Sequence, residues 1–367
     1  MGRRSNGEGS IAKRKDGRWS AAYTVGGKRK YAYGKTRKEA AQKLRDALAE
    51  QGKGSYYPEI KLKDYMGQWL EDSVKDTVRE RTYERYEQVS RNHIVPELGD
   101  TSLPSLTEMA IQSLYRKKLD SGCSPRTVQY IYVTLHKALK QAVRWRLILT
   151  NVVEGATPPK VNRKEITVLS PAQVKVFFKG IRSHRLEAMF ILATTTGLRQ
   201  GELLGLRWED IDSRESTLHV VRTLSKTNRG VVFNPPKTAK GRRSVGLTQL
   251  AVEALGKHKI NQEKEKVGWH RDHGLVFPNI HGEPRTQRGP MLEALRKVLK
   301  ENGLPEIRFH DLRHTCATLL LSKNVNPKIV SEMLGQGDVA FTLSVYSHVL
   351  RGMQAGAVKA MDDILDG

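Results

Sequence analysis

The spacing of apolar residues changes period along this chain. Near the start, Trp19-Ser20-Ala21-Ala22-Tyr23-Thr24-Val25 and Lys28-Arg29-Lys30-Tyr31-Ala32-Tyr33 read as strands, with Gly26-Gly27 between them as hairpin punctuation. Thr36-Arg37-Lys38-Glu39 has the form of a capping box, in which the hydroxyl takes the Glu39 amide and the carboxylate reaches back. It predicts a helix to about Glu50, before Gly52-Lys53-Gly54-Ser55 breaks the pattern. From residue 60 to about 155 the spacing is helical, as in Leu62, Tyr65, Met66, Trp69 and Leu70. Ser124-Pro125 is an N-cap with proline at the first helical position. After it, Val128, Ile131, Leu135, Leu139, Ala142 and Val143 make one core stripe. The other face carries Arg126, Lys137, Lys140, Arg144 and Arg146, and such a face either is solvated or lies on a polyanion. Thr157-Pro158-Pro159-Lys160 cannot continue a helix. With Asn162-Arg163-Lys164 it reads as an extended, charged hinge, by which the chain could close around a rod-shaped substrate. After it comes a second cap, Ser170-Pro171, and helices dominate, with strand signals at Thr217–Val221, Val231–Phe233 and Ser244–Leu247. The expected fold is multidomain α+β. A small module of strands and a helix covers 1–55, an all-α domain covers 60–157, and a mainly α domain with a small antiparallel sheet covers 165–367.

Composition narrows the partners. At 367 residues and 38% hydrophobic, the chain can bury more than one core. Its 63 basic and 39 acidic residues give a net charge of +24. That charge repels itself unless a polyanion is near, so nucleic acid is the first expectation and an anionic membrane surface the second. No stretch of 18 apolar residues occurs, and Met1 to Arg18 has no apolar core, so neither a membrane span nor a signal peptide is expected. Cys123 and Cys316 have no CxxC partners and form neither a zinc site nor a disulfide framework; both are expected to be reduced core residues of a cytoplasmic protein.

Exchange of a DNA phosphodiester needs a nucleophile, cationic donors for the non-bridging oxygens, and an acid for the leaving hydroxyl. Arg199 and Arg313 suit the second task, because a guanidinium matches phosphate oxygens bidentately and stays charged. Tyr346 suits the first. Each has a plainer reading on its own. Arg199 could pair with Glu202 or cap a helix, His310 could be an ordinary helix residue, Arg313 a surface ion-pair member and Tyr346 a half-buried core tyrosine. The ordered set is what departs from chance.

That set resembles the tyrosine recombinase, or phage integrase, family of the three-domain, arm-binding type. Thr196-Gly197-Leu198-Arg199-Gln200-Gly201-Glu202-Leu203 is similar to the family's first arginine motif, and His310-Asp311-Leu312-Arg313-His314-Thr315 to its HxxR motif. Leu334-Gly335 followed by Thr342 to His348 resembles the nucleophile segment. Asn234-Pro235-Pro236-Lys237-Thr238, ahead of Arg242-Arg243-Ser244-Val245, resembles the hairpin that carries a catalytic lysine; Lys237 is assigned that role, with Lys240 as its rival. One departure is plain: the family usually has His, sometimes Trp, where this chain has Gln336. An amide can donate to a phosphate oxygen but cannot titrate.

The resemblance implies a site-specific recombinase that integrates and excises a mobile element through a 3′-phosphotyrosine and a Holliday junction. It implies no cofactor and no metal. Tyr346 attacks, Lys237 protonates the 5′-oxygen, Arg199 and Arg313 grip the phosphate, and His310 and Gln336 assist. Glu202 supports the set. Residues 1–55 resemble a three-stranded arm-site DNA-binding domain in which Trp19, Tyr23, Tyr31 and Tyr33 alternate with Arg18, Lys28, Arg29 and Lys30, the four aromatics expected inward and the cations on phosphate; Arg18, Trp19, Tyr23, Lys28, Arg29 and Lys30 are the candidate contacts. Residues 60–157 resemble the helical, SAM-like core-binding domain, with Arg126, Lys137, Lys140 and Arg144 as contacts. The implied partners are double-stranded DNA at core and arm sites, a homotetramer, and accessory proteins that bend DNA and set direction; no membrane is implied. The bacterial host's cytoplasm is the implied location. The tail Val358-Met361-Ile364-Leu365 would dock in a neighbouring protomer. The alternative is a DNA-binding protein of the same fold whose catalysis is weakened or lost at Gln336. A type IB topoisomerase shares the chemistry, but the arm module argues against it.

Overall fold

The computed structural model describes residues 10–14, 16–25, 28–54, 59–162, 166–236, 239–285, 289–336 and 361–365, with single positions 339 and 343. By backbone contacts the chain divides into Met1–Asn162 and Arg163–Gly367.

In the first unit, strands β1 (Ser10–Lys13), β2 (Trp19–Val25) and β3 (Lys28–Gly34) form an antiparallel sheet in sequence order. Helix α1 (Arg37–Gly54) follows, and runs through Gly52 instead of stopping at Glu50. The Thr36 hydroxyl accepts from the Glu39 amide at 3.1 Å, while the Glu39 carboxylate takes the amide of Lys35 at 2.8 Å. Register decides the faces. Trp19, Ala21 and Tyr23 alternate onto the α1 side, where Ala21, Ala40 and Leu44 form a small core with Ile11 and Ala32. Tyr31 lies opposite Ala22, and Tyr33 opposite Ser20, on the outer face. Both are exposed, with rings stacked 6.4 Å apart. This corrects the expectation that all four aromatics face inward.

The rest of this unit is helical: α2 (Leu62–Trp69), α3 (Glu80–Val89), α4 (Val95–Leu98), α5 (Glu108–Asp120) and α6 (Pro125–Arg144). The Ser124 hydroxyl caps α6 by accepting from the Thr127 amide at 3.1 Å, with Pro125 at the first position. Val128, Ile131, Leu135, Leu139 and Ala142 are fully buried against Tyr65, Met66, Ile111 and Leu114. Cys123, expected in a core, is only half-buried; Cys316 is buried.

In the second unit, α7 (Pro171–Gly180) starts with a reciprocal cap between Ser170 and Gln173. Helix α8 (Glu187–Thr196) is apolar on nearly every side and forms the centre. Its closing threonines return their hydroxyls to the carbonyls of Phe190, Ile191 and Leu192, which lets polar side chains sit there. The short helix α9 (Gln200–Leu204) follows. Strands β4 (Ile211–Asp212), β5 (Thr217–Val220) and β8 (Arg243–Gly246) pair in that order, and β6 (Thr223–Thr227) with β7 (Gly230–Asn234) makes a separate hairpin. The sequence reading did not anticipate β4 or β6. Helices α10 (Gln249–Glu265), α11 (Gly289–Glu301), α12 (Phe309–Ser322) and α13 (Pro327–Leu334) complete the unit, and Met361–Leu365 is helical and exposed. Val358, the first residue of the expected tail pattern, lies outside the described residues. Among the described residues no helix is long and apolar enough to cross a membrane.

Candidate active site

Three helix ends meet in the second unit. Helix α8 stops at Gly197, whose φ of 62° turns the chain, and a side chain there would sit 2.4 Å from Leu334 Cδ2. The turn delivers Arg199 to the start of α9. Its backbone amide donates to Glu202 Oε2 at 2.9 Å, and its Nη1 donates to Glu202 Oε1 at 2.8 Å. The plainer reading of Arg199, an ion pair with Glu202, is therefore real. The Arg199 side chain still keeps 41% of its surface exposed, and its Nη2 donates to the Gly335 carbonyl at 3.0 Å.

Arg313 rises from α12 and is 3% exposed. Its Nη1 donates to the Gly197 carbonyl at 2.7 Å and its Nη2 to the Leu334 carbonyl at 2.8 Å. One cation thus serves the carboxyl ends of α8 and α13, where peptide dipoles leave partial negative charge.

A third arginine, Arg243 on β8, was not singled out from the sequence. Its Nε donates to the Met333 carbonyl at 2.6 Å, and its Nη2 to Glu202 Oε2 at 3.0 Å. Its Nη1 reaches the Gly241 carbonyl at 3.1 Å. Every carbonyl of the α13 end is accounted for. Ser331 and Glu332 receive the amides of Gln336 and Gly335, each at 2.9 Å, in a Schellman turn. Met333, Leu334 and Gly335 receive Arg243, Arg313 and Arg199 in order. A signal for Arg243 did exist: strand alternation puts it on the same face as Val245, which is buried.

Glu202 is the anion of this cluster. Burial alone would raise its pKa, but the hydrogen bond and charge of Arg243, then Arg199, hold it below the ordinary carboxylate range. On α12, His310 is exposed, and its ring meets that of His314 edge-on at 5.0 Å between centroids. Surrounding protein mass, then the charges of Arg313 and Arg199, lower the His310 pKa. His314 is lowered to about 4 by burial and by His310. Both shifts favour the neutral imidazole. Asp311 opens the helix by accepting the Arg308 amide at 2.8 Å and the Arg308 guanidinium. A cleft of about 590 Å³ runs past His310 and is lined by Gln200, Arg296 and Arg308.

Arg199, His310, Arg313 and Gln336 thus lie on elements that converge; Gln336 is half-buried directly after the Gly335 turn. Lys237 and Tyr346 lie outside the described residues. Lys240, the rival to Lys237, is exposed in the single turn Ala239–Gly241.

The candidates in the first unit divide by environment. Arg126, Lys137, Lys140 and Arg144 are all exposed on α6. Arg126 and Arg85 both lie over the Tyr130 ring, 5.0 Å and 4.6 Å from its centre, and Lys137 donates to the Tyr86 hydroxyl at 2.6 Å. In the sheet, Arg18 is exposed and pairs with Asp16, and Arg29 lies 5.9 Å from the Tyr31 ring on the outer face. Lys30 is exposed and opposite Tyr23. Trp19 and Tyr23 pack toward α1, and the Lys28 side chain lies outside the described residues. Tyr31 and Tyr33, expected inward and not among the candidate contacts, hold the open face, with Arg14 5.1 Å from the Tyr33 ring.

Known proteins share the family and the fold. The phage integrase family pattern matches residues 167–352, and the phage integrase N-terminal SAM-like domain matches 61–119. A "tyrosine recombinase XerC-like" protein of Caldanaerobacter subterraneus subsp. tengcongensis is 31% identical over 360 residues, covering 92% of each chain. The fold matches the Tn1549 transposon integrase in complex with transposon right end DNA at a TM-score of 0.70 and 21% identity, over 81% of this chain and all of the other. It also matches a lambda integrase tetramer bound to a Holliday junction at a TM-score of 0.55 and 20% identity, over 89% of this chain and 95% of the other. The chain belongs to the phage integrase family and is a tyrosine-type site-specific recombinase.

Proposed function

We propose that this chain integrates and excises a mobile DNA element with Tyr346 as nucleophile. The tyrosine oxygen releases its proton to solvent and bonds to the scissile phosphorus, the bond to the 5′-oxygen breaks, and Lys237 supplies the proton that the leaving oxygen takes. Arg199 and Arg313 stabilise the charge that grows on the non-bridging oxygens. His310 hydrogen-bonds the phosphate as a neutral imidazole, and Gln336 donates its amide. The phosphotyrosine stores the bond energy, so a 5′-hydroxyl rejoins the strand without a nucleotide. Glu202 holds the arginines and touches no DNA.

The observation that carries this reading is the meeting of Arg199 and Arg313 on the carbonyls of Leu334 and Gly335, the turn from which the chain continues toward Tyr346. Donors gathered there are aimed at partial negative charge before any phosphate arrives.

Three domains divide the work in this proposal. Residues 1–55 hold arm sites through the Arg29, Tyr31 and Tyr33 face, and 60–157 lie on core DNA through the cations of α6. Residues 165–367 carry the chemistry. A homotetramer assembles on two duplexes, each protomer's tail docking in a neighbour, with accessory proteins that bend the DNA and set direction. The protein works on DNA in the cytoplasm of a bacterial host.

The test is a nicked, end-labelled duplex made from the DNA that flanks this gene. A denaturation-resistant protein–DNA adduct is expected, and Tyr346→Phe should abolish it while leaving salt-sensitive binding intact. Tight binding without an adduct would instead favour a DNA-binding protein that has lost turnover, the reading that Gln336 motivates. Gln336→His would then show whether that residue is the cause.

A further inference from the structure

We infer that Arg243 is a positioning residue that keeps Arg199 turned outward for phosphate, by taking over the charge of Glu202. This rests on the recombinase reading of Arg199.

The Glu202 carboxylate is 4% exposed, and a buried carboxylate must be neutralised by close cations. Two share it. The Arg243 side chain is 7% exposed and reaches both oxygens, Oε2 at 3.0 Å and Oε1 at 3.4 Å. Arg199 spends only Nη1 on Oε1, and its Nη2 goes to the Gly335 carbonyl. The best guanidinium–carboxylate geometry is a two-pronged fork. Arg243 occupies much of that fork and thereby denies it to Arg199. Without Arg243, Arg199 is, among the described residues, the guanidinium that remains hydrogen-bonded to Glu202. It closes onto both oxygens, lets go of Gly335, and turns its donors away from the surface.

Arg243 is itself fixed from two sides. Its Nε holds Met333 of the α13 end, and its Nη1 holds Gly241 of the turn just before β8. Gly335 makes room for it, since a side chain there would come 2.7 Å from Nη1. A charge held this way on three separate segments keeps its place while DNA comes and goes.

The test uses the full chain with Arg243→Gln, Arg243→Lys and the double variant Glu202→Gln, Arg243→Gln. A crystal structure of the Arg243→Gln protein is expected to show Arg199 on both Glu202 oxygens. Adduct formation on the nicked duplex should slow by about 100-fold, the scale on which a misplaced catalytic group is felt. The double variant carries no carboxylate to draw Arg199 inward, and should recover about tenfold of that loss, a coupling of ordinary size for residues in contact. Arg243→Lys, which keeps the charge, should fall between the parent and Arg243→Gln. Should Arg243→Gln fail to fold, the double variant, which buries no unpaired charge, decides alone: measurable adduct formation supports positioning, and its complete loss overturns the inference. An Arg199 that stays on Gly335 in the Arg243→Gln crystal, or a double variant no faster than the single, overturns the inference. If the unaltered chain forms no adduct, the recombinase reading has failed instead, and the movement of Arg199 in the crystal still decides the role of Arg243.

Discussion

Gly335 carries two requirements at one position. Its φ of 62° lies in the left-handed region, and any β-carbon would press on Arg243. Gly335→Ala should therefore cost about 1–3 kcal/mol from the backbone alone. Adduct formation should fall further than stability does, because the Gly335 carbonyl also anchors Arg199. Urea unfolding and adduct yield on the same preparations measure both, and an alanine variant that matches the parent in each would remove the turn from the argument. At this scale much of the site was legible. Arg199, His310 and Arg313 sit in short contiguous motifs whose residue types already match phosphate chemistry. Arg243 escaped because its importance comes from partners 41 and 90 positions away, and local spacing cannot report such contacts.

Helix α12 couples the site to pH. His314 has its pKa lowered from 6.5 to about 4, so the folded state prefers the neutral imidazole. A depressed pKa means that the contribution is complete above pH 6.5 and is lost as pH falls toward 4. Glu202 and Asp311 are depressed as well, and their contributions are lost lower, as pH falls through the carboxylate range. The melting temperature should decline in two stages on acidification, and His314→Gln should reduce the first stage, to which His310, His258 and His184 also contribute, while leaving the second. A variant that melts like the parent at every pH would rule out His314 as a source. Elements were legible where burial repeats. The α6 stripe and the caps at Ser124 and Ser170 are examples. β6 was hidden because Thr-Leu-Ser-Lys-Thr buries only Leu224 and Thr227, too little for a pattern. The outward Tyr31 and Tyr33 were hidden because alternation fixes which residues share a face, whereas pairing register fixes which face it is.

Across the whole molecule the excess of +24 sets the behaviour toward DNA. Affinity should fall linearly with salt on logarithmic axes, as phosphates release counterions. With Lys140, exposed on α6, proposed to lie on phosphate, Lys140→Ala should reduce that slope by about 1 and weaken all duplexes alike. Titrations at several salt concentrations on core and unrelated duplexes would show this, and an unchanged slope would take Lys140 out of the interface. The charge and its helix face were plain in the sequence; the open sheet face and the buried arginine cluster depend on pairing register and on long-range contacts.

The double anchorage of Arg313 bears on how inactive forms of this protein are chosen. Its two terminal nitrogens join the ends of α8 and α13 from a nearly sealed position. Lysine has a single ammonium and cannot span both carbonyls in that way. A dead protein made at Arg313 would therefore mix damaged architecture with lost chemistry, and any complex trapped with it could differ from the native one. Changing Tyr346 instead leaves the Arg313 bonds to Gly197 and Leu334 with both of their partners, which makes it the sounder way to halt the reaction and hold the assembled DNA complex for study.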